Sequence, residues 1–215
     1  MTNRPTNNGE PVAVELKTGD TVEFIGDSVT DGNRLDDREL GLGHGYVRVI
    51  ADALRPLGVH VINRGTSANR TKDLLARWQP DCLDLRPDVL SIMIGINDTW
   101  RRYDEDDPTP TEVFAENYRQ LLTAAIDKLE AQIVLIEPWL LPVSPDQEAW
   151  REDLDPKIDV VRNLVTEFGL TLLPLNDILR HEAESAGSSE LAWDGVHPTP
   201  QGHQAIARAW LNLTT

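Results

Sequence analysis

The chain has 215 residues, 40% of them hydrophobic, which is long and apolar enough to bury a sizeable core. Against 36 Asp and Glu stand 20 Lys and Arg, and the net charge of −16 argues against nucleic acid and anionic membrane surfaces as partners, leaving small neutral substrates open. A single cysteine, Cys82, excludes an intrachain disulfide.

Met1 to Glu10 is polar and lacks the apolar centre of a signal peptide, and no run is long enough to span a bilayer, so a cytoplasmic protein is expected. Residues 1–12, rich in Asn, Thr and Pro, predict a flexible tail ahead of one domain over 13–215. Thr21 to Ile25 is a short β-branched and aromatic run, which predicts a strand ending at Gly26-Asp27-Ser28. Val29 to Gly43 is polar and too long for a simple connector, and is expected to be a binding loop. Tyr46, Val47, Ile50, Leu54 and Leu57 recur at helical spacing, with Gly58 as the stop.

Val59 to Asn63 predicts a second strand, ending in Arg64-Gly65, and Thr71 to Trp78 a short helix. Pro80 and Pro87 bracket a further helical piece around Cys82. The nearly all-apolar Val89 to Ile94 predicts a central parallel strand buried on both faces, ending at Gly95-Ile96-Asn97-Asp98. Trp100 to Pro110, charged and aromatic, is expected to be a loop. Thr111 to Ala131 carries an apolar stripe through Phe114, Tyr118, Leu121, Leu122, Ala125 and Leu129, which predicts a long amphipathic helix.

Ile133 to Ile136 predicts the fourth strand, and the apolar loop Trp139 to Pro145 beyond it serves either a subunit contact or a pocket wall. Asp146 to Asp153 is expected to be helical, and Asp155-Pro156 then predicts an N-cap and first helical residue of a further helix, closed by Gly169. Leu170 to Leu173 is the fifth expected strand, Asn176 to about Ala186 a helix, Gly187 to Trp193 a loop, and Pro200 the start of a last helix. Five strands alternating with helices of crossover length imply an α/β fold, a parallel sheet covered on both faces.

In such a sheet the carboxyl ends of the strands share one edge, so Ser28, Gly65, Asn97 and the Asp194–His197 segment are expected to converge. Their chemistry suits acyl transfer. A serine hydroxyl needs a base to take its proton as it attacks, and a histidine, whose ordinary pKa lies near neutrality, can serve. Asp194, three residues before His197, can hold the imidazole in one tautomer. The Ser28 and Gly65 amides and the Asn97 side chain would supply three donors to a tetrahedral oxyanion. Each piece also has a plainer reading: Ser28 as a turn serine, Asp194 and His197 as a cap and a surface histidine, Gly65 as a turn glycine, Asn97 as a loop-fixing asparagine. His203 on the last helix is expected to pack or face solvent. No Cys/His or His/carboxylate spacing suggests a metal, and no glycine pattern suggests a nucleotide, so no cofactor is expected.

Taken together, the segments Gly26-Asp27-Ser28, Asn63-Arg64-Gly65, Gly95-Ile96-Asn97-Asp98 and Asp194-Gly195-Val196-His197 resemble the blocks of the SGNH (GDSL-type) hydrolase superfamily, in order and spacing. The resemblance implies a three-layer α/β/α sandwich with a five-stranded parallel sheet, flavodoxin-like, and a metal-free serine esterase. Like that family, the chain lacks a Gly-x-Ser-x-Gly elbow around Ser28. The surrounding wording, including Ala76-Arg77-Trp78, Trp100-Arg101 and Leu191-Ala192-Trp193, is similar to intracellular acetyl esterases acting on xylan fragments. It implies an acetylated sugar as substrate and a homo-oligomer. Asp27 is expected to bond loop amides on the substrate side, and Trp100, Tyr103 and Trp193 to offer rings to a sugar. Lipases or thioesterases of longer acyl chains, and a binding module that keeps the fold without the chemistry, are the alternatives.

Overall fold

The apolar runs form five strands in the computed structural model, which describes residues 13–215, so the tail expected over residues 1–12 lies outside the described residues. They are β1 (Thr21–Gly26), β2 (His60–Gly65), β3 (Val89–Met93), β4 (Gln132–Ile136) and β5 (Thr171–Leu173). All pair in parallel, in the order β2-β1-β3-β4-β5. β1 therefore has a neighbour on each side, with Gly26 opposite Gly65 of β2 and Met93 of β3. The strand order reverses between β1 and β3, and beyond the carboxyl ends at that switch open α/β sheets bind their ligands.

Ten α-helices accompany the strands among the described residues: α1 (Ser28–Asp31), α2 (Tyr46–Leu54), α3 (Thr71–Ala76), α4 (Ile96–Asp104), α5 (Thr111–Lys128), α6 (Pro145–Glu148), α7 (Arg151–Phe168), α8 (Leu175–Ala186), α9 (Ser188–Leu191) and α10 (Pro200–Leu211), besides a 3-10 turn at Arg55–Leu57 and a π-helical turn at Gln79–Leu83 around Cys82. The period-2 alternation of the strands divides the core. Phe24, Val89, Met93, Val134 and Ile136 pack with Ile50 of α2, Leu179 of α8 and Trp210 of α10. Ile25, Leu90, Ile92, Ile133 and Leu135 pack with Leu74 of α3, Leu121 and Leu122 of α5, and Val161 and Leu164 of α7. The result is the α/β/α sandwich expected from the sequence. Each such buried side chain is worth about 1.5–3 kcal/mol, so the sheet core holds the strand ends in place. Ser91, the one hydroxyl in β3, is satisfied within the core by Trp210 Nε1 at 2.8 Å.

The structure departs from the sequence reading at four places, one of them the expected loop Gly187 to Trp193, which turns helical as α9 over Ser188–Leu191. The expected loop from Trp100 is helical from Ile96 to Asp104. Ile96, Trp100 and Tyr103 fall on one helical face, Asp98 lies in the first turn, and Arg101 and Arg102 lie in the last, each sign matched to the helix dipole. Pro156 is not a first helical residue but lies inside α7. It forfeits one backbone bond near the helix start, while the Arg151–Asp155 and Lys157–Asp153 pairs and the buried Leu154 and Ile158 carry the helix through. The segment after Asp27 is not all loop, because its first turn is α1.

Candidate active site

Gly26 ends β1 where the chain must turn sharply. A Cβ there would lie 2.1 Å from the Met93 carbonyl oxygen and 2.7 Å from Thr30 Oγ1, so only glycine lets α1 fold back on the strand end. Asp27 caps α1, its Oδ1 accepting the Val29 amide at 3.0 Å. Ser28 is the first residue of the helix, half-buried, with its amide among those a helix start leaves without an intrahelical partner. Asp27 itself is buried: its bond to a backbone amide of the following segment is as expected, while the substrate contact also expected of it is corrected to a capping role. Burial pushes its carboxyl up to about 7, against the Val29 amide and His197, which favour the charged form.

Asp194 and His197 sit in a tight loop closed by the Ala192–Pro198 bridge and by the Trp193 amide on the His197 carbonyl at 2.9 Å. Asp194 Oδ1 accepts the amides of Val196 at 3.0 Å and His197 at 2.7 Å. Its Oδ2 lies 2.7 Å from His197 Nδ1, and His197 Nε2 lies 3.0 Å from Ser28 Oγ. Burial alone would raise the Asp194 carboxyl, but these amides and the imidazole outweigh it and hold the group below its ordinary value. An Nδ1–H donated to Asp194 leaves the Nε2 lone pair facing the serine.

The loop is braced from behind. Gly195, at φ 86°, could carry no side chain, since a Cβ would lie 2.7 Å from Gln147 Oε1 and 2.9 Å from the Leu141 carbonyl oxygen. Gln147 Nε2 donates to the Asp194 carbonyl at 2.6 Å, and the Leu141 amide to the Gly195 carbonyl at 2.9 Å. Trp139, Leu140 and Leu141 are buried, so within this chain the apolar loop after β4 is a support for the Asp194–His197 turn.

One wall of the site is aromatic. The Trp100 ring centroid lies 5.7 Å from that of His197, and Trp150 backs Trp100 at 5.5 Å. Tyr103 stacks on Trp150 at 5.3 Å, and its hydroxyl donates to the Ala149 carbonyl, which places it behind Trp100 rather than beside His197. Trp193 is 68% exposed next to Asp194. Trp150 was not singled out by sequence, since its distance from every motif leaves no local signal.

The expected oxyanion donors fare differently. Asn97, 2% exposed in the first turn of α4, spends one amide hydrogen on the Asn69 carbonyl at 3.1 Å. Gly65 departs from expectation: its amide donates to Asn63 Oδ1 at 2.8 Å. A Cβ on it would lie 2.1 Å from the Asp31 amide nitrogen. Its role here is to let α1 and β2 meet. The turn that follows, closed by the Asn69 amide on the Thr66 carbonyl at 3.3 Å, holds Ala68 exposed at φ 64°. A left-handed alanine costs about 1–2 kcal/mol and marks a constrained turn that sequence alone could not reveal. Beside it, Asp98 accepts the Thr71 amide at 3.0 Å and the Thr71 hydroxyl at 2.7 Å, which ties α4 to the start of α3. Among the described residues no group of three His, Cys, Asp or Glu could hold a metal ion, and no helix is long and apolar enough to cross a membrane.

Residues 24–205 match the GDSL-like lipase/acylhydrolase family. An acetylxylan esterase from Geobacillus stearothermophilus is 33% identical over 209 residues, covering 92% of this chain and 95% of that protein. The solved structure of Axe2, an acetylxylan esterase from Geobacillus stearothermophilus, matches with a TM-score of 0.83 at 32% identity over 92% of this chain and 94% of the other. An alpha/beta hydrolase enzyme from the metagenome of Lake Arreo, Spain, matches with a TM-score of 0.84 at 30% identity over 92% and 96%. Solved catalytic mutants of Axe2 replace a serine, an aspartate and a histidine by alanine.

Proposed function

The chain belongs to the GDSL-like lipase/acylhydrolase family and is an SGNH-type carboxylic ester hydrolase, and on that premise we propose that Ser28, His197 and Asp194 remove acetyl groups from xylo-oligosaccharides or related sugars. The observation that carries the reading is the continuous chain of contacts from Ser28 Oγ to His197 Nε2 at 3.0 Å and from His197 Nδ1 to Asp194 Oδ2 at 2.7 Å.

In this reading Ser28 Oγ attacks the ester carbonyl carbon while its proton passes to His197 Nε2. Asp194 holds the imidazole in place and stabilises the cation that forms. The tetrahedral intermediate collapses as His197 returns the proton to the departing sugar oxygen, which leaves an acetyl ester on Ser28. Water then attacks that ester with His197 again taking the proton, and the intermediate collapses as His197 passes that proton to Ser28 Oγ and acetate leaves. The oxyanion is held by the Ser28 amide, the second hydrogen of Asn97 Nδ2 and the amide of Ala68. Ala68 replaces Gly65 in this role because the Gly65 amide is engaged with Asn63 while the Ala68 turn abuts Asn97 through Asn69.

Support for an acetylated sugar comes from the relatives named acetylxylan esterase, from the Trp100 ring beside His197, and from exposed Trp193 beside Asp194. A sugar lays its C–H face on such rings. The net charge of −16 suits a neutral substrate better than an anionic one. The test is turnover of acetylated xylo-oligosaccharides against a nitrophenyl ester series of rising acyl length. Acetate is expected to be favoured over octanoate, and Ser28→Ala to abolish turnover; preference for octanoate would remove the sugar reading.

A further inference from the structure

Arg77 follows α3, and its side chain is only 16% exposed. Its Nη2 donates to the Gly26 carbonyl at 2.9 Å, and Nη1 to the Arg64 carbonyl at 2.9 Å. Nε donates to Asn69 Oδ1 at 2.6 Å, and Nη1 also meets Asp81 Oδ2 at 3.0 Å, which balances the charge. One planar fork thus joins three segments. Gly26 lies two residues before Ser28. Arg64 is the penultimate residue of β2, just ahead of the turn that holds Ala68. Asn69 sits in that turn and accepts Asn97 Nδ2 on its carbonyl.

From this arrangement we propose that Arg77 is a positioning residue for the oxyanion site: it fixes the Ser28 amide, the turn carrying Ala68 and the Asn97 side chain relative to one another. It touches none of the reacting atoms. The geometry asks for a guanidinium, since a lysine ammonium is a point charge without a rigid fork and cannot hold three acceptors in one plane at these separations. Donors aimed at a developing charge lose most of their value when displaced by about 1 Å, so loosening the fork lowers transition-state binding more than ground-state binding. The inference rests on the proposed Ser28 chemistry.

The experiment measures kcat and KM on nitrophenyl acetate for wild type, Arg77→Lys, Arg77→Gln and Ser28→Ala, with the folded fraction followed by thermal denaturation. A trifluoromethyl ketone that adds to the serine hydroxyl serves as the tetrahedral probe. In folded Arg77→Lys, kcat is expected to fall about 10- to 100-fold with KM within about twofold, and the ketone to bind more weakly by a like factor. Arg77→Gln is expected to fall further in the same pattern. Wild-type kcat in Arg77→Lys overturns the positioning role. So does a loss confined to KM or to the folded fraction while the ketone binds as tightly as before. Ser28→Ala separates the two claims: if it is inert while Arg77→Lys is unimpaired, only the role of Arg77 falls, and if it still turns over, the underlying serine chemistry falls with it.

Discussion

At the scale of single residues, the site is built from groups held in unfavourable states by their surroundings. Ala68 occupies the left-handed region at φ 64°, which glycine enters without penalty. Ala68→Gly is therefore expected to raise unfolding stability by about 1 kcal/mol in urea titration, and unchanged or lower stability would mean the turn is not strained. Ala68→Pro, which removes the amide and forbids positive φ, is expected to lower kcat about 100-fold. Away from the triad, Glu23 is also held in an unfavourable state. It is buried within β1, and neither carboxyl oxygen has a hydrogen-bond partner among the described residues. Burial pushes it up to about 8, with Arg64 only partly opposing. No motif pointed to it, because a glutamate among strand residues is indistinguishable in sequence from one facing solvent.

At the scale of elements, placement of the nucleophile depends on how closely α1 folds against β2. Gly65→Ala adds a Cβ 2.1 Å from a backbone nitrogen of α1, which cannot rotate aside. Stability is expected to fall by about 3 kcal/mol in thermal or urea unfolding, with activity lost alongside as Ser28 is displaced. A folded, fully stable Gly65→Ala would contradict the packing role assigned to that glycine. The strands were legible in sequence because apolar β-branched runs such as Val89 to Ile94 admit few alternatives, and the motifs marked where they end. What escaped was decided by tertiary contact. The helix from Ile96 reads as loop because its exposed face is heavily charged, and α7 reads as two pieces because Pro156 normally marks a helix start. The engagement of the Gly65 amide by Asn63 depends on a side-chain geometry that no spacing encodes. The loop after β4 could be read as wall or contact, and only the bonds from Leu141 and Gln147 to the Asp194–Gly195 segment identify it as a brace.

At the scale of the whole molecule, buried titratable groups couple stability to pH in opposite directions. Glu23 rises from 4.5 to about 8, so its contribution is complete below pH 4.5 and is lost as pH climbs toward 8. His203, whose Nδ1 accepts the Tyr46 amide at 3.1 Å, is lowered from 6.5 to about 4 by burial and by His197. Its contribution is complete above pH 6.5 and is lost as pH falls toward 4. Between pH 6.5 and 8 the glutamate slope stands without the histidine one, and Glu23→Gln is expected to flatten the fall in Tm over that interval. An unchanged slope would show that Glu23 does not carry it. Over the same distances the sheet unites residues from opposite ends of the chain, since Ser28 and His197 are 169 positions apart yet in hydrogen-bond contact. The most direct test of that union is mass spectrometry of the enzyme quenched during turnover of an acetyl ester. The account predicts one acetyl group on the peptide containing Ser28, absent from Ser28→Ala, whereas an acetyl group on another residue, or turnover by Ser28→Ala at the wild-type rate, would contradict it.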